Sequence, residues 1–155
     1  MSSAADRSPL IALVERAGRA LVADLVSSAA ERGYPEVRMS HNAVFATLQA
    51  DGSRVSDMAA RAGITKQSLA AIVKDLEGAG LVTVSPDPAD GRAKVVKYTD
   101  RGRQCATDGA AYLREVEDNV ATLLGRDRLD DLRELLEQTA VHFETRLAER
   151  GEAPA

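Results

Sequence analysis

The stretch Val55–Thr99, VSDMAARAGITKQSLAAIVKDLEGAGLVTVSPDPADGRAKVVKYT, decides the fold that the sequence predicts. It begins with two short segments of helical apolar spacing on either side of Gly63. Two Val-containing segments then flank a loop of polar and basic residues. The first pair is typical of two helices across a glycine turn, and the second pair of a β-hairpin. We expect these elements to form one unit that could bind a ligand.

The spacing of three residues favours a helix-turn-helix. Ala59 is small enough for the second helix to cross the first, and Gly63 provides the turn four residues later. Leu69, ten residues after Ala59, is placed inside the second helix. On this pattern alone an ordinary helical hairpin remains the alternative. We predict helices over about 57–62, capped by Ser56, and about 66–79, capped by Thr65.

The hairpin favours a winged helix over a plain helical pair. Leu81–Ser85 and Ala93–Tyr98 are predicted as strands, and the intervening Pro86–Arg92 holds two prolines and one glycine. In a winged helix the second helix lies in the major groove of DNA with its first residues at base edges. The hairpin tip then reaches the minor groove, where an arginine meets a strongly negative potential.

The rest of the chain is predicted to be helical, so that the fold is mainly α. Long amphipathic helices are expected over about 9–32, 100–125 and 128–149, with a further helix over about 39–50. These long helices carry no recognisable chemistry. Their apolar stripes need a partner surface that a winged helix is too small to provide.

Composition indicates one domain in a reducing compartment. The chain has 155 residues, 45% of them apolar, with one Cys and no apolar run near the ~20 residues that span a bilayer. We expect a cytoplasmic protein without a secretion signal and with no membrane contact. The net charge of −4 is unevenly distributed. Residues 54–103 carry +3, whereas residues 104–155 carry −6, so the predicted winged helix is the basic part of an acidic chain.

The wing segment resembles that of the MarR family of bacterial transcriptional regulators. In Asp87–Gly102, DPADGRAKVVKYTDRG, the positions of Asp90, Arg92, Tyr98-Thr99 and Gly102 are similar to the family's wing signature. The preceding LEGAGLV is similar to the family's junction of recognition helix and wing. The resemblance is close over about 35–104. The terminal helices resemble those of the family only in the pattern of their lengths.

The resemblance implies a domain plan and a function. Residues 1–155 would form a single MarR-like domain, in which 36–103 bind DNA and 1–35 and 104–155 supply dimerisation helices. The implied protein is a homodimeric repressor that binds a palindromic double-stranded DNA operator. A small amphipathic or phenolic effector would relieve repression, and no cofactor is implied.

Carried over residue by residue, the resemblance gives candidate DNA contacts. The recognition-helix candidates at the major groove are Thr65, Lys66, Gln67, Ser68 and Ala71. Arg54, Ser56, Lys74 and Lys94 are phosphate candidates, and Arg92 is the minor-groove residue of the wing, oriented by Asp90. His41 is a weak candidate for lining an effector cavity.

Other classes of function have less support. A winged helix that binds only protein is the main alternative, and a redox sensor using Cys105 is another. Because the family's thiol sensors place their cysteine on the first helix, Cys105 is expected to be a buried core thiol. An enzyme would need more than a Cys105–His142 pair, since no oxyanion hole or phosphate-binding loop is recognisable. His41 and His142 lack neighbours at metal-ligand spacing, so we expect no metal site.

Overall fold

A computed structural model describes residues 8–87 and 90–151, apart from the side chain of Arg92. The elements follow one another as long helix, short helical segments, hairpin and two long helices. Their bounds are α1 Leu10–Glu31, a 3₁₀ turn Met39–His41, α2 Asn42–Phe45, β1 Ser53–Arg54, α3 Val55–Ala62, α4 Lys66–Gly78, β2 Val82–Asp87, β3 Asp90–Tyr98, α5 Asp100–Leu124 and α6 Arg126–Glu149. The predicted mainly α winged helix is confirmed.

The helix-turn-helix forms through local signals. Gly63 adopts φ +64°, a left-handed conformation that glycine takes without a Cβ penalty, and it ends α3. The Thr65 hydroxyl oxygen accepts a hydrogen bond from the Ser68 amide at 3.1 Å, which satisfies one free donor of α4. Thr99 caps α5 in the same way through the Gly102 amide at 2.9 Å.

The wing is an antiparallel hairpin to which β1 adds a third strand. The strand order is β1-β3-β2, with Ser53 opposite Val96 in the first pair and Val84 opposite Val96 in the second. The register shifts between Pro86 and Asp87. Because β3 is paired on both sides, the base of the wing is fixed to the body of the winged helix.

A single apolar core lies under the winged helix. Met58, Leu69, Leu76 and Leu81 are fully buried. Tyr34, which follows α1, and Cys105, near the start of α5, belong to the same cluster. The core therefore joins the first and fifth helices to the helix-turn-helix and the wing.

The long helices leave much of their apolar surface uncovered. Ile11 on α1 is 71% exposed, Leu123 on α5 81% and Phe143 on α6 51%. Among the described residues of α6 only Leu129 is buried. The other large exposed apolar residues of these three helices are Leu10, Leu13, Val14, Leu21, Leu113, Leu124, Leu132, Leu135, Leu136 and Val141.

Several predicted boundaries were wrong. The helix expected over about 39–50 is a 3₁₀ turn followed by the four-residue α2. There the Thr47 hydroxyl donates to the Ala43 carbonyl at 2.6 Å, a local bond that competes with a continuing helix. Ser56 does not cap α3, which begins one residue before it. The strands extend to Asp87 and from Asp90, so that most of the predicted loop is hairpin.

Candidate nucleic-acid interface

The helix α4 has one buried and one projecting face. Leu69 and Leu76 are 0% exposed and fix the helix to the core. Gln67, Ala71 and Lys74, spaced by four and three residues, form the exposed stripe on the opposite side. Two of these three side chains are polar and Ala71 leaves room between them. This stripe can therefore enter a groove without disturbing the core.

The first turn of α4 is polar and exposed. The side chains of Lys66, Gln67 and Ser68 are all exposed. The hydroxyls of Thr65 and Ser68 are hydrogen-bonded to each other at 2.8 Å, while Thr65 also caps the helix. Thr65 is thus primarily a structural residue of this turn, and Lys66 and Gln67 are available for external contacts.

The wing places its lysines on different faces. Lys94 lies opposite Pro86 and Lys97 opposite Thr83, and both side chains are exposed. Since side chains alternate along a strand, residues three apart lie on opposite faces. Arg92 lies on β3 between Asp90 and Lys94, but its side chain, and hence its expected bond with Asp90, lies outside the described part of the chain.

The Arg54 side chain is held by the wing. Its Nε lies 2.6 Å from Oδ2 of Asp87, a residue only 8% exposed, and a terminal nitrogen of the guanidinium lies 2.5 Å from the same oxygen. The hydrogen bond with Asp87 raises the pKa of Arg54. Arg54, predicted as a phosphate contact, therefore joins β1 to the end of β2. Ser56, another phosphate candidate, donates to Asp57 Oδ1 at 3.1 Å and is exposed.

Asp75 on α4 is engaged by the turn that precedes α2. Its Oδ2 lies 3.0 Å from Nε2 of His41 and 3.3 Å from a guanidinium nitrogen of Arg38. The Arg38 amide donates to Nδ1 of His41 at 3.2 Å, so that Nε2 carries the proton donated to Asp75. The hydrogen bond from His41, followed by the charge of Arg38, lowers the pKa of Asp75. The carboxylate of Asp75 thus stays ionised beside the projecting stripe, and Arg38 balances its negative charge.

An apolar cavity of about 250 Å³ lies between α1, α5 and the segment 37–46, which contains the 3₁₀ turn and α2. Its polar side chains are Arg38 and Asn42, with the thiol of Cys105 on the α5 side. His41 is not among its lining residues, and its 1% exposed ring faces Asp75 instead. The remaining lining residues are Val22, Leu25, Val26, Ala29, Val37, Phe45, Ala46, Ala106, Gly109, Ala110 and Leu113.

Cys105 has the environment of an unreactive thiol. It is 6% exposed, and burial raises its pKa to about 11, which keeps the thiol protonated at neutral pH. His142 lies far along the chain on α6, where its ring contacts the edge of Phe143 with centroids 5.1 Å apart.

The described residues contain neither a membrane-spanning helix nor a cluster of metal ligands. None of their helices combines the length and apolar character that a membrane span requires. Residues 8–87 and 90–151 contain no group of three or more His, Cys, Asp or Glu placed to hold a metal ion.

Several of these contacts had no signal in the sequence. Arg54 and Asp87 are 33 residues apart, and His41 and Asp75 are 34 apart. Arg101 was missed as well: it donates to Glu36 and to the carbonyl oxygens of Gly33 and Ala79, at 3.2 and 3.1 Å. No local periodicity or motif encodes such pairs.

Comparison with known proteins gives this geometry a family context. Residues 38–93 match the model of the MarR family. The transcriptional repressor CouR bound to a 23-mer DNA duplex has a similar structure, with 27% sequence identity, a TM-score of 0.71, and coverage of 85% of this chain and 92% of that one. No curated protein matches the chain.

Two ligand complexes share the fold. For CouR from Rhodococcus jostii RHA1 bound to p-coumaroyl-CoA, the identity is 24% and the TM-score 0.65, with 83% of this chain and 89% of that one covered. For PcaV from Streptomyces coelicolor in complex with its natural ligand, the identity is 21% and the TM-score 0.66, with 90% of this chain and 96% of that one covered. CouR is a transcriptional repressor and PcaV a transcriptional regulator.

Proposed function

We infer, from a winged helix whose residues 38–93 match the model of the MarR family, that this chain binds double-stranded DNA and regulates transcription. The observation that carries this proposal is the exposed stripe of α4, Gln67, Ala71 and Lys74, opposite a fully buried face. Gln67 can pair with adenine in the major groove, and Lys74 with a phosphate. Lys66 and Ser68 extend the contact at the helix start.

The wing supplies the second contact in this proposal. Arg92 would enter the minor groove next to the site read by α4, with Lys94 at a phosphate. Ser56 lies at the start of α3, where backbone contacts are common in helix-turn-helix proteins. Arg54 would act through Asp87: it would fix the tip end of β2 to β1, and its guanidinium would stay on that carboxylate instead of binding a phosphate. The similar protein CouR has been solved bound to a 23-mer DNA duplex, which supports DNA as the partner.

We propose that the protein works as a homodimer. The exposed apolar residues of α1, α5 and α6 exceed what a monomer of this size needs to leave in water, and obligate dimer interfaces are apolar. Residues 1–35 and 104–155 would form the dimerisation part and 36–103 the DNA-binding part of one domain, 1–155. Two winged helices related by a two-fold axis then fit a palindromic operator, and such a bacterial regulator acts in the cytoplasm.

We further propose repression that a small molecule relieves. The cavity near Arg38 and Asn42 has the volume and apolar lining for a small amphipathic molecule, including a phenolic one. An effector bound there would change the relative positions of the two recognition helices. The ligand complexes of CouR and PcaV have the same fold.

The deciding experiment is an unbiased selection of genomic DNA fragments by the purified full-length protein, followed by titration of the selected fragment. We expect one enriched inverted repeat with half-sites about one helical turn apart. The observed binding constant should fall steeply between low and moderate salt, with a log–log slope of about −0.9 per neutralised phosphate. A flat salt dependence or no enriched sequence would favour the protein-binding alternative.

Arg92→Ala tests the wing separately. We expect weaker binding to the selected fragment, by a factor of roughly 10 to 100, with an unchanged dimer. Arg128→Ala on α6 is the matched control, because it removes the same charge from an exposed site outside the winged helix. Equal affinities of the two variants would exclude the wing role.

A further inference from the structure

The turn Met39–His41 and its neighbours Arg38 and Asn42 face two parts of the molecule at once. Arg38 and Asn42 line the apolar cavity. His41, between them, faces away from the cavity and is 99% buried, with its Nε2 against Asp75 of α4. The segment 38–42 thus contacts the cavity through Arg38 and Asn42 and the helix that would read DNA through Arg38 and His41.

The bonds of this segment hold His41 in one orientation. The Arg38 amide occupies Nδ1 of His41, which fixes the ring and directs the Nε2 proton to Asp75. Arg38 adds its guanidinium to the same Oδ2 of Asp75. A displacement of this segment therefore moves the partners of Asp75 with it, or breaks both bonds.

Asp75 is well placed to pass such a displacement along α4. It lies eight residues beyond Gln67, about 12 Å along a rigid helix. It also follows Lys74 of the projecting stripe directly. A small shift or tilt at Asp75 changes the position of every side chain in that stripe.

We propose that His41 and Asp75 are positioning residues that transmit occupancy of the cavity to the recognition helix α4. This inference rests on the proposed function for its biological meaning, since the cavity would hold the effector and α4 would read the operator. Neither residue needs to contact the effector or a base. Loss of the His41–Asp75 bond should therefore uncouple two sites while leaving both intact.

The test uses a side chain of the protein itself as the cavity probe. Gly109 on α5 lines the cavity, and a Cβ added there meets nothing within 4 Å. Gly109→Phe fills the cavity in part, whereas Gly109→Ala also removes the helical glycine but does not fill the cavity. The difference between these two variants reports occupancy together with the smaller difference in helix propensity between Phe and Ala, and the Asp75→Ala and Glu77→Ala backgrounds share that smaller difference. Ala110→Leu, from another lining residue, replaces Gly109→Phe if that variant fails to fold.

The readout is amide hydrogen exchange of α4 in the full-length protein, which requires no DNA. We expect filling to change the exchange rates of α4 amides by roughly 2- to 30-fold. In the Asp75→Ala background this difference should vanish. In the Glu77→Ala background it should persist, because Glu77 is on the same helix but accepts from the Val84 amide of the wing.

Two results would overturn the inference. One is an unchanged α4 exchange on filling the cavity, and the other is an equal change in the Asp75→Ala and Glu77→Ala backgrounds. Titration of the selected DNA fragment then separates this inference from the proposed function. If exchange is coupled through Asp75 but no fragment is bound, the regulator proposal fails while the coupling stands.

Discussion

At the scale of single residues, close contacts decide which positions tolerate change. A Cβ built on Gly102 would lie 1.8 Å from the Leu81 carbonyl oxygen and 3.2 Å from Tyr98. The Leu81 carbonyl is itself fixed, because it accepts from the Thr99 amide at 3.1 Å. Here the wing signature residue Gly102 is required by the close packing of α5 on the start of the wing.

Gly102→Ala should therefore be strongly destabilising. We expect a loss of about 3 kcal/mol in the free energy of unfolding, at the upper end for overpacking, because a backbone oxygen has to move. Urea denaturation at fixed protein concentration measures it. Gly109→Ala on the same helix is the control and should gain up to about 1 kcal/mol from helix propensity. Equal stability of both variants would contradict the packing argument.

The thiol of Cys105 gives a second prediction at this scale. With a pKa of about 11, its thiolate fraction at pH 8 is about one in a thousand. The native protein should therefore react slowly with a disulfide reagent at pH 8. The rate should rise about tenfold per pH unit up to the pKa, and the urea-unfolded chain should react fast.

Peroxide completes the test of Cys105. DNA binding by the parent protein and by Cys105→Ser should be equally insensitive to peroxide, because only the thiolate is readily oxidised. A parent protein that loses DNA binding under peroxide, while Cys105→Ser retains it, would support the redox-sensor alternative.

At the scale of elements, Arg101 links the ends of two helices. Its guanidinium donates to the carbonyl oxygens of Gly33, after α1, and Ala79, after α4. It also pairs with Glu36 and lies 5.3 Å from the centroid of the Tyr34 ring. The hydrogen bond from Arg101 lowers the pKa of Glu36 below its ordinary value of 4.5. This cluster connects α5 to the winged helix at its polar edge.

The ion pair between Glu36 and Arg101 predicts that the fold loses stability at acidic pH. Because the pKa of Glu36 is lowered on folding, its stabilisation is complete above about pH 4.5 and is lost as the pH falls. Glu36→Gln should be less stable than the parent at pH 6 and should lose less stability between pH 6 and pH 3. Urea midpoints across this range measure the effect. Glu31→Gln, an exposed carboxylate on α1, should follow the parent curve.

Local signals explain which elements the sequence could predict. Thr65 and Gly63 act through bonds and dihedral angles within their own turn, so α4 and its preceding turn were predicted correctly. The strand β1 has two residues and exists only because β3 pairs with it. Too short for any periodicity, it was missed. The helix expected over about 39–50 failed for a related reason, since apolar spacing shows burial but not where a helix breaks.

The candidate site also contains features that the sequence could predict and contacts that it could not. The exposed stripe of α4 could be predicted, because helical periodicity separates Gln67 and Lys74 from the buried Leu69. The partners of Arg54 and Asp75 could not, since each lies more than thirty residues away and is brought close only by tertiary packing. Consequently sequence reasoning found the surface that would meet DNA but not the contacts that hold it in place.

At the scale of the whole molecule, the uncovered apolar surface and the charge distribution indicate one arrangement. The basic segment 54–103 carries the projecting helix and the wing, and the acidic segment 104–155 carries helices with exposed apolar stripes. If those stripes pair with a second copy, the acidic helices lie together, away from DNA. In the proposed dimer the apolar stripes are buried between the two copies, and the acidic surface lies away from DNA.

The last prediction concerns α6, where Leu132, Leu136 and Phe143 share one face and are 42%, 44% and 51% exposed. Leu136→Glu would bury a carboxylate in the proposed interface, so we expect a monomer by light scattering and a thermal midpoint that no longer rises with protein concentration. Gln138→Glu introduces the same group on the opposite face of α6 and should remain dimeric. A parent protein that is monomeric at micromolar concentration, or a dimeric Leu136→Glu, would exclude this face as the dimer interface. Because two linked winged helices bind a palindrome far more tightly than one, the monomeric variant should also lose the selected fragment.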